Sequence, residues 1–228
     1  MADLVQKTVG ALLDDIAEKN AEREAVVYAD RGLRYTFKQF NEICKETART
    51  FMSLGIEKGD HLAIWATNTP EWLITQYATG KMGAVLVTVN TSYRAKELEY
   101  LLQQSDSKTL ILMENLKDHS YIETLYEIIP ELKDATPGEL VSEKLPYLKN
   151  VIVLGENRYP GTYNWDDVMH LASHTSETEL TERMNSLHDD EVINMQYTSG
   201  TTGFPKGVML THRNIVNNAI NIAEGMKL

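Results

Sequence analysis

One segment near the carboxyl end of the sequence combines residue types that suit phosphate binding. Residues 197–207 read YTSGTTGFPKG. Gly200 and Gly203 let backbone N–H groups turn toward one point. Four Ser and Thr hydroxyls between positions 198 and 202 can contact phosphate oxygens or Mg²⁺, and Lys206 adds a positive charge. The segment therefore predicts a loop that closes over a polyphosphate.

The spacing of this segment differs from two other nucleotide-binding motifs. The P-loop motif G-x-x-x-x-G-K-[ST] opens a helix, whereas here Pro205 precedes the lysine and Gly207 follows it. Two residues separate Gly200 from Gly203, so the segment does not match G-x-G-x-x-G. The alternative interpretation is a flexible Ser/Thr/Gly linker. Linkers rarely place Pro-Lys-Gly between two apolar strands, which favours the phosphate loop.

Strand and helix patterns alternate ahead of this loop. Short apolar, β-branched segments at 61–66, 84–89 and 109–113 predict strands. Helical patterns at 70–82 and 94–104 separate them. A β-α-β-α-β order gives a parallel sheet with right-handed crossovers. The predicted fold class is therefore α/β, a mostly parallel sheet with flanking helices.

The rest of the chain predicts further elements and three regions. A hairpin at 26–37 leads into a helix that Thr36 caps and Gly55 ends. The polar, acidic stretch 173–190 is interpreted as a surface loop or linker. Further elements are a helix at 118–129, a strand at 151–154, a helix start at Asp166 and Asp167, strands at 192–197 and 207–210, and a helix from 212 to about 224. The predicted regions are an N-terminal hairpin and helix packing on a second sheet (1–58), an α/β subdomain with the acidic region (59–190), and the phosphate-loop hairpin with the start of the next subdomain (191–228).

Charge and composition exclude several classes of function. The net charge of the 228 residues is −11, and residues 114–191 carry the whole imbalance, which argues against nucleic-acid binding. Between Glu191 and Glu224 there is no carboxylate, so an anion could bind there without repulsion. A single cysteine, Cys44, allows no intrachain disulfide. With no signal-peptide pattern and no run of about 18 apolar residues, we expect a cytoplasmic protein that makes at most peripheral membrane contact.

Residues 197–214, YTSGTTGFPKGVMLTHRN, resemble the phosphate-loop signature of adenylate-forming enzymes. This family includes acyl-CoA synthetases, luciferases and the adenylation domains of peptide synthetases. Residues 35–37 and 59–85 are more weakly similar to the same family. The segment VNTSY at 89–93, followed by ELEY at 97–100, is most similar to fatty acyl-CoA synthetases. Thr91 departs from the pattern, because relatives usually have proline there, and we expect only a local change in turn rigidity.

The resemblance implies a two-step ligase reaction. A carboxylate, here a medium- or long-chain fatty acid, attacks the α-phosphate of ATP, and coenzyme A then accepts the acyl group. The implied catalytic residues are Lys206 and Thr198, with Thr198 also contacting Mg²⁺. His212 is implied to line the carboxylate site, or alternatively is a solvent-facing residue that packs at a helix start, with Thr211 as the cap. The implied phosphate-binding residues are Thr198, Ser199, Gly200, Thr201, Thr202, Gly203, Phe204, Pro205 and Lys206.

Several motifs of this family do not occur in the 228 residues. They are aromatic-Gly-x-Thr-Glu, Thr-Gly-Asp and Gly-Arg-x-Asp, together with the C-terminal domain that carries a second catalytic lysine. We therefore expect these residues to be the N-terminal part of a ligase and to be inactive alone. Two alternatives stay open at this point. One is a non-catalytic nucleotide- or acyl-binding module, and the other is an adenylating enzyme that transfers to a carrier-protein thiol or to oxygen.

Overall fold

A seven-stranded sheet forms the centre of the computed structural model, which describes residues 4–198 and 205–227. The strands of the sheet are β3 (His61–Trp65), β4 (Val85–Thr88), β5 (Thr109–Met113), β8 (Asn150–Leu154), β9 (Tyr163–Asn164), β10 (Val192–Thr198) and β11 (Lys206–Thr211). Their order across the sheet is β11-β10-β4-β3-β5-β8-β9. All neighbours pair in parallel except β10 and β11, which are antiparallel. The predicted fold class, a mostly parallel α/β sheet, is confirmed.

Helices and two small hairpins surround this sheet. The hairpins are β1 (Glu24–Tyr28) with β2 (Leu33–Thr36), and β6 (Asn115–Leu116) with β7 (His119–Ser120). The α-helices are α1 (Val9–Lys19), α2 (Phe37–Ser53), α3 (Pro70–Met82), α4 (Ala95–Gln104), α5 (Tyr121–Ile128), α6 (Trp165–Met169), α7 (Glu177–Asn185) and α8 (His212–Met226). Within the described residues, no helix has both the length and the apolar composition needed to cross a lipid bilayer.

Alternate residues of the central strands face two separate hydrophobic clusters. In β3, Ala63 and Trp65 pack with buried leucines of α4 and α5, whereas Leu62 and Ile64 pack with α2 and α3 on the other face. These side chains are all fully buried, as is typical of parallel strands with helices on both faces. The helices therefore hold the strand ends in fixed positions, and the loops at these ends can build a site.

Local sequence signals explain the bounds of α3. Thr69 accepts a hydrogen bond from the Trp72 N–H, and Pro70 occupies the first helical position, where no N–H is needed. Gly83 ends the helix with a left-handed φ of 80°. A side chain at Gly83 would also collide with Leu187, because its Cβ would lie 2.5 Å from Leu187 Cδ2. The predicted span 70–82 is confirmed.

The interpretation of residues 173–190 as a surface loop or linker is wrong, because they contain α7. Ser176 and Glu179 form a reciprocal capping box at the start of this helix. Its acidic first turn, with Glu177 and Glu179, favours the helix because carboxylates interact with the positive end of its dipole. Leu180 is buried and packs with the cluster that contains α2 and α3. Leu180, the partly buried Met184 and the capping box thus dock a helix whose other residues are polar.

Three further features refine the expected organisation. The helix expected at 118–129 begins only at Tyr121, because the residues before it form the β6–β7 hairpin. Helix α1 precedes the elements that the sequence patterns predicted. The sheet continues through the predicted boundary at residue 190, because β10 pairs with β4. The division into three regions stays a prediction.

Candidate phosphate site at the carboxyl edge of the sheet

The predicted phosphate loop joins β10 to β11. Thr198, the last residue of β10, lies opposite Lys206, the first residue of β11, and both are exposed. The structure therefore brings together the two ends of the loop. The other predicted ligands, apart from Pro205, lie outside the described residues: Ser199, Gly200, Thr201, Thr202, Gly203 and Phe204.

The direction of β10 places this loop at a particular edge of the sheet. Because β10, β4, β3, β5 and β8 are parallel, their carboxyl ends meet at one edge. Thr198 lies at the carboxyl end of β10, so the ends of the loop start from that edge. Ligands of open α/β sheets bind outside the carboxyl ends of the strands. The position of Thr198 and Lys206 is thus the one expected for a ligand site.

Lys206 carries an uncompensated positive charge in this region. The sequence has two basic residues between positions 192 and 223, Lys206 and Arg213. Arg213 makes a two-point contact with Asp189, with N–O distances of 2.6 and 3.0 Å, and so is already paired. Among the described residues, no carboxylate lies within 4 Å of the Lys206 ammonium. Of these two basic residues, Lys206 is therefore the one available to bind an anion.

Gly207 allows β11 to pack closely against β10. Lys206 and Gly207 are the first two residues of β11, and Gly207 is paired with Tyr197. A Cβ at Gly207 would lie 3.1 Å from Met195 Sδ and 3.3 Å from Tyr197 Cζ, which is tighter than most real contacts. The absence of a side chain at Gly207 therefore fixes how near β11 lies to Tyr197, and so helps to position Lys206.

The structure buries His212 at the start of α8. Its side chain is 0% exposed, and its Nδ1 accepts a hydrogen bond of 3.0 Å from the N–H of Val9, the first residue of α1. Burial lowers the pKa of His212 to about 4, since the charged form would lose its hydration. Thr211 caps α8 by accepting from the Asn214 N–H. The Thr211 cap and the position at a helix start are confirmed, but the expectation of a solvent-facing His212 is wrong, because α1 covers the side chain. Carboxylate binding by His212 stays a prediction.

The sequence profile described as "AMP-binding enzyme" matches residues 13–227 of the chain. This match covers nearly the whole sequence, including β10, β11 and α8. The chain belongs to this family of AMP-binding enzymes. The predicted resemblance to adenylate-forming enzymes is thereby confirmed.

Curated relatives of this AMP-binding enzyme carry acyl-CoA synthetase names. The Bacillus subtilis (strain 168) protein YngI, assigned as an acyl-CoA synthetase, is 57% identical over 228 residues, which are 100% of this chain and 42% of YngI. The human mitochondrial medium-chain acyl-CoA ligase ACSF2 is 40% identical over 99% of this chain and 37% of its own length. The chain thus spans about two fifths of the length of these relatives.

A solved structure shows the same fold. The long-chain-fatty-acid-CoA ligase FadD1 from Archaeoglobus fulgidus superposes with a TM-score of 0.74. The match covers 99% of this chain and 41% of the FadD1 chain at 24% identity. At this identity the similarity shows the fold alone, and it supports the sheet order and helix positions described above.

The turn after β4 in this AMP-binding enzyme contains Thr91, the departure from the family pattern. The Tyr93 N–H donates to the Asn90 carbonyl, so Thr91 and Ser92 are the central residues of a four-residue turn. Neither has a positive φ, as in a type I turn. The Asn90 carboxamide accepts from the Ser92 N–H at 2.9 Å, and the Tyr121 hydroxyl donates to the Thr91 carbonyl at 2.6 Å. The turn is therefore well held without proline.

Thr91→Pro is expected to raise the free energy of unfolding by about 0.4–1 kcal/mol. Proline suits the second position of a type I turn, and the Thr91 N–H donates no hydrogen bond to any described residue. The gain comes from the smaller entropy of the unfolded chain. Urea unfolding of the variant provides the test. Ser92→Pro is the control and should be destabilising, because proline is disfavoured at the third position of such a turn. Destabilisation by Thr91→Pro would contradict the turn assignment.

Proposed function

We propose that the chain is the N-terminal part of an ATP-dependent fatty acid–CoA ligase. The family match and the names of the curated relatives support this class of reaction. The observation that carries the proposal is the hairpin itself. It presents Thr198 and Lys206 opposite each other, exposed, at the carboxyl edge of a parallel sheet. In this proposal the two side chains bind the β- and γ-phosphates of ATP.

The proposed chemistry places developing negative charge near Lys206. In the first step a carboxylate oxygen bonds to the α-phosphorus, and the bond from this phosphorus to the bridging oxygen of pyrophosphate breaks. In the second step the thiol of coenzyme A gives up its proton to solvent and its sulfur bonds to the acyl carbon. The bond from that carbon to the phosphate oxygen of AMP breaks, and AMP leaves. An ammonium without an acidic partner stabilises the pyrophosphate as its charge grows. The Thr198 hydroxyl adds a neutral donor on the other side of the hairpin mouth.

The described residues also fit a Mg²⁺ ion that is held together with the phosphates. Thr198 offers an exposed hydroxyl oxygen at the mouth of the hairpin, and hydroxyl oxygen is a ligand type that Mg²⁺ accepts. Mg²⁺ in such sites is bound mostly by substrate phosphates and one or two protein ligands. When bound, it would neutralise phosphate charge during the transfer. The role of the chain's own residues is to place the phosphates with Thr198 and Lys206.

Substrate, acceptor, location and the activity of the isolated segment are part of the same proposal. A medium- or long-chain fatty acid is favoured because the curated relatives include a medium-chain acyl-CoA ligase. Coenzyme A is the proposed acceptor for the same reason. A cytoplasmic location is part of this proposal, although the human relative is mitochondrial by name. The 228 residues alone are proposed to make no acyl-CoA, because they span about two fifths of the relatives.

Lys206→Ala in the full-length protein tests the proposed site. We expect kcat/KM for ATP to fall roughly 10- to 150-fold, the effect of losing one charge-assisted phosphate contact. Fatty-acid binding should change much less, because Lys206 is proposed to contact phosphate only. Fatty-acid-dependent exchange of pyrophosphate into ATP, with octanoate as the acid, measures the adenylation step directly.

Lys19→Ala is the matched control for removing one exposed lysine. Lys19 lies on α1, outside the hairpin, and is exposed. This variant should keep the ATP kinetics of the wild type. If Lys206→Ala keeps them as well, the proposed phosphate site is wrong. If the isolated 228 residues form octanoyl-CoA from ATP and coenzyme A, their proposed inactivity is wrong.

A further inference from the structure

The arm of the hairpin that carries Lys206 has few contacts with the rest of the protein. β11 is an edge strand whose described strand neighbour is β10. Val208 and Met209 on this strand are 42% and 63% exposed, so their side chains contribute little packing. Pro205 has no N–H with which to extend the ladder beyond Lys206. The place of the Lys206 backbone therefore depends on a small number of interactions.

One hydrogen bond reaches this arm from outside the hairpin. The hydroxyl of Tyr100 donates to the carbonyl of Pro205 at 3.3 Å. Among residues 4–198 and 205–227, no other side-chain hydrogen bond links residues 205–210 to an element outside the hairpin. Tyr100 belongs to α4, which follows the turn after β4. The bond thus ties the end of the phosphate loop to the helix beside it.

The support for Tyr100 is rigid. Leu98, Leu101 and Leu102 of α4 are 0–2% exposed and lie in the cluster beneath the sheet. Tyr100 also lies beside Tyr197, the residue against which Gly207 packs. Burial, and next the neighbouring Tyr100, raise the pKa of Tyr197 to about 12.

We infer that Tyr100 is a positioning residue for Lys206 in the adenylation step. This inference rests on the proposed function. Lys206 follows Pro205 directly, and the Pro205 carbonyl and the Lys206 nitrogen belong to one planar peptide unit, so a bond that holds the carbonyl also holds the start of Lys206. Tyr100 holds the Pro205 carbonyl on one side of Lys206. Tyr197 packs against Gly207 on the other side. The backbone of Lys206 is therefore held at both ends, which limits where its ammonium can lie. The role is to keep Lys206 placed for phosphate before ATP binds.

Tyr100→Phe in the full-length protein tests the inference, because it keeps the ring and removes only the donor. We expect kcat/KM for ATP to fall about 2- to 10-fold in octanoate-dependent pyrophosphate exchange, as for one neutral hydrogen bond. KM for octanoate should be unchanged. The decisive readout is the double variant. In a Lys206→Ala background, Tyr100→Phe should have no further effect on ATP kinetics, because Tyr100 acts through Lys206.

Tyr126→Phe is a control of the same chemistry at another place. The Tyr126 hydroxyl donates to the Pro160 carbonyl at 2.9 Å, away from the hairpin. This variant should lower the unfolding temperature without changing kcat/KM for ATP. Equal losses of activity in Tyr100→Phe and Tyr126→Phe would show a general structural effect and overturn the inference. Additive effects of Tyr100→Phe and Lys206→Ala would also overturn it. If Lys206→Ala alone has no effect, the proposed function fails instead.

Discussion

Asp14→Ala is expected to lower the free energy of unfolding by about 3 kcal/mol. Asp14 on α1 accepts a hydrogen bond of 2.9 Å from the ammonium of Lys81 on α3, and Lys81 is 0% exposed. Removing the carboxylate leaves a buried ammonium whose remaining described acceptor is the Gly10 carbonyl at 3.3 Å. Burial already lowers the pKa of Lys81, so its charge depends on this partner. The loss is at the low end for buried pairs because the Asp14 side chain is 32% exposed.

Two further variants separate the charge effect from a loss of packing. Lys81→Met removes the buried charge and keeps a long apolar side chain, so it should cost less than Asp14→Ala. The double variant should be more stable than Asp14→Ala alone. Asp15→Ala on the same helix removes an exposed pair with Lys7 and should have little effect on urea unfolding. If Asp14→Ala and Asp15→Ala are equally mild, the Lys81 ammonium reaches solvent and the buried-pair account is wrong.

Much of the sheet could be predicted from the sequence because its signals are local. Strands β3, β4 and β5 are continuous apolar segments, as burial on both faces requires. Helix bounds followed from capping residues within four positions of the helix ends, such as Thr36 and Thr69. The parallel arrangement then followed from the alternation of strands and helices. None of these steps needs knowledge of distant contacts.

The misjudged elements depend on contacts between distant parts of the chain. Helix α7 is mostly polar and docks through Leu180 and Met184, so its pattern resembled a solvated loop. Helix α1 is stabilised by Lys81 and His212, and the bond between Val9 and His212 spans 203 positions. Local sequence patterns cannot predict a contact between residues that are so far apart in the chain. The N-terminal segment is thus tied to α8 by a contact that only the fold reveals.

The candidate site divides in the same way. The residue types of the loop, including Lys206, could be predicted from the sequence, because glycine, hydroxyl and lysine at this spacing have few other uses. The partner of Arg213 was not readable, although that pairing with Asp189 is what leaves Lys206 as the free cation. The hydrogen bond from Tyr100 could not be predicted either, since Tyr100 lies 105 positions before Pro205. The sequence indicates the chemistry, and the packing determines which residues hold it in place.

Acidification from pH 6.5 to 4 is expected to remove about 3 kcal/mol of stability through His212 alone. In the folded chain Nδ1 accepts from the Val9 N–H at the positive end of α1, so it can bind a proton only by losing this bond. The folded pKa is about 4, against 6.5 for a free histidine. Above pH 6.5 neither state binds the proton and the contribution is complete. Between pH 6.5 and 4 only the unfolded state binds it, so stability falls, and below pH 4 the loss is complete.

His212→Asn isolates this contribution from other groups that titrate in the same range. Glu191 and Asp189 favour the protonated form of His212, and Lys58 opposes it. The ion pairs Lys58–Glu191 and Arg213–Asp189 do not involve the His212 side chain, so the substitution removes neither. Asparagine keeps an acceptor for the Val9 N–H and does not titrate. Urea unfolding at several pH values should therefore show a steeper loss of stability for the wild type than for His212→Asn, with the difference growing from pH 6.5 to 4. Parallel profiles would mean that His212 accepts a proton in the folded chain as readily as in the unfolded one, and the burial of His212 against α1 would then be wrong.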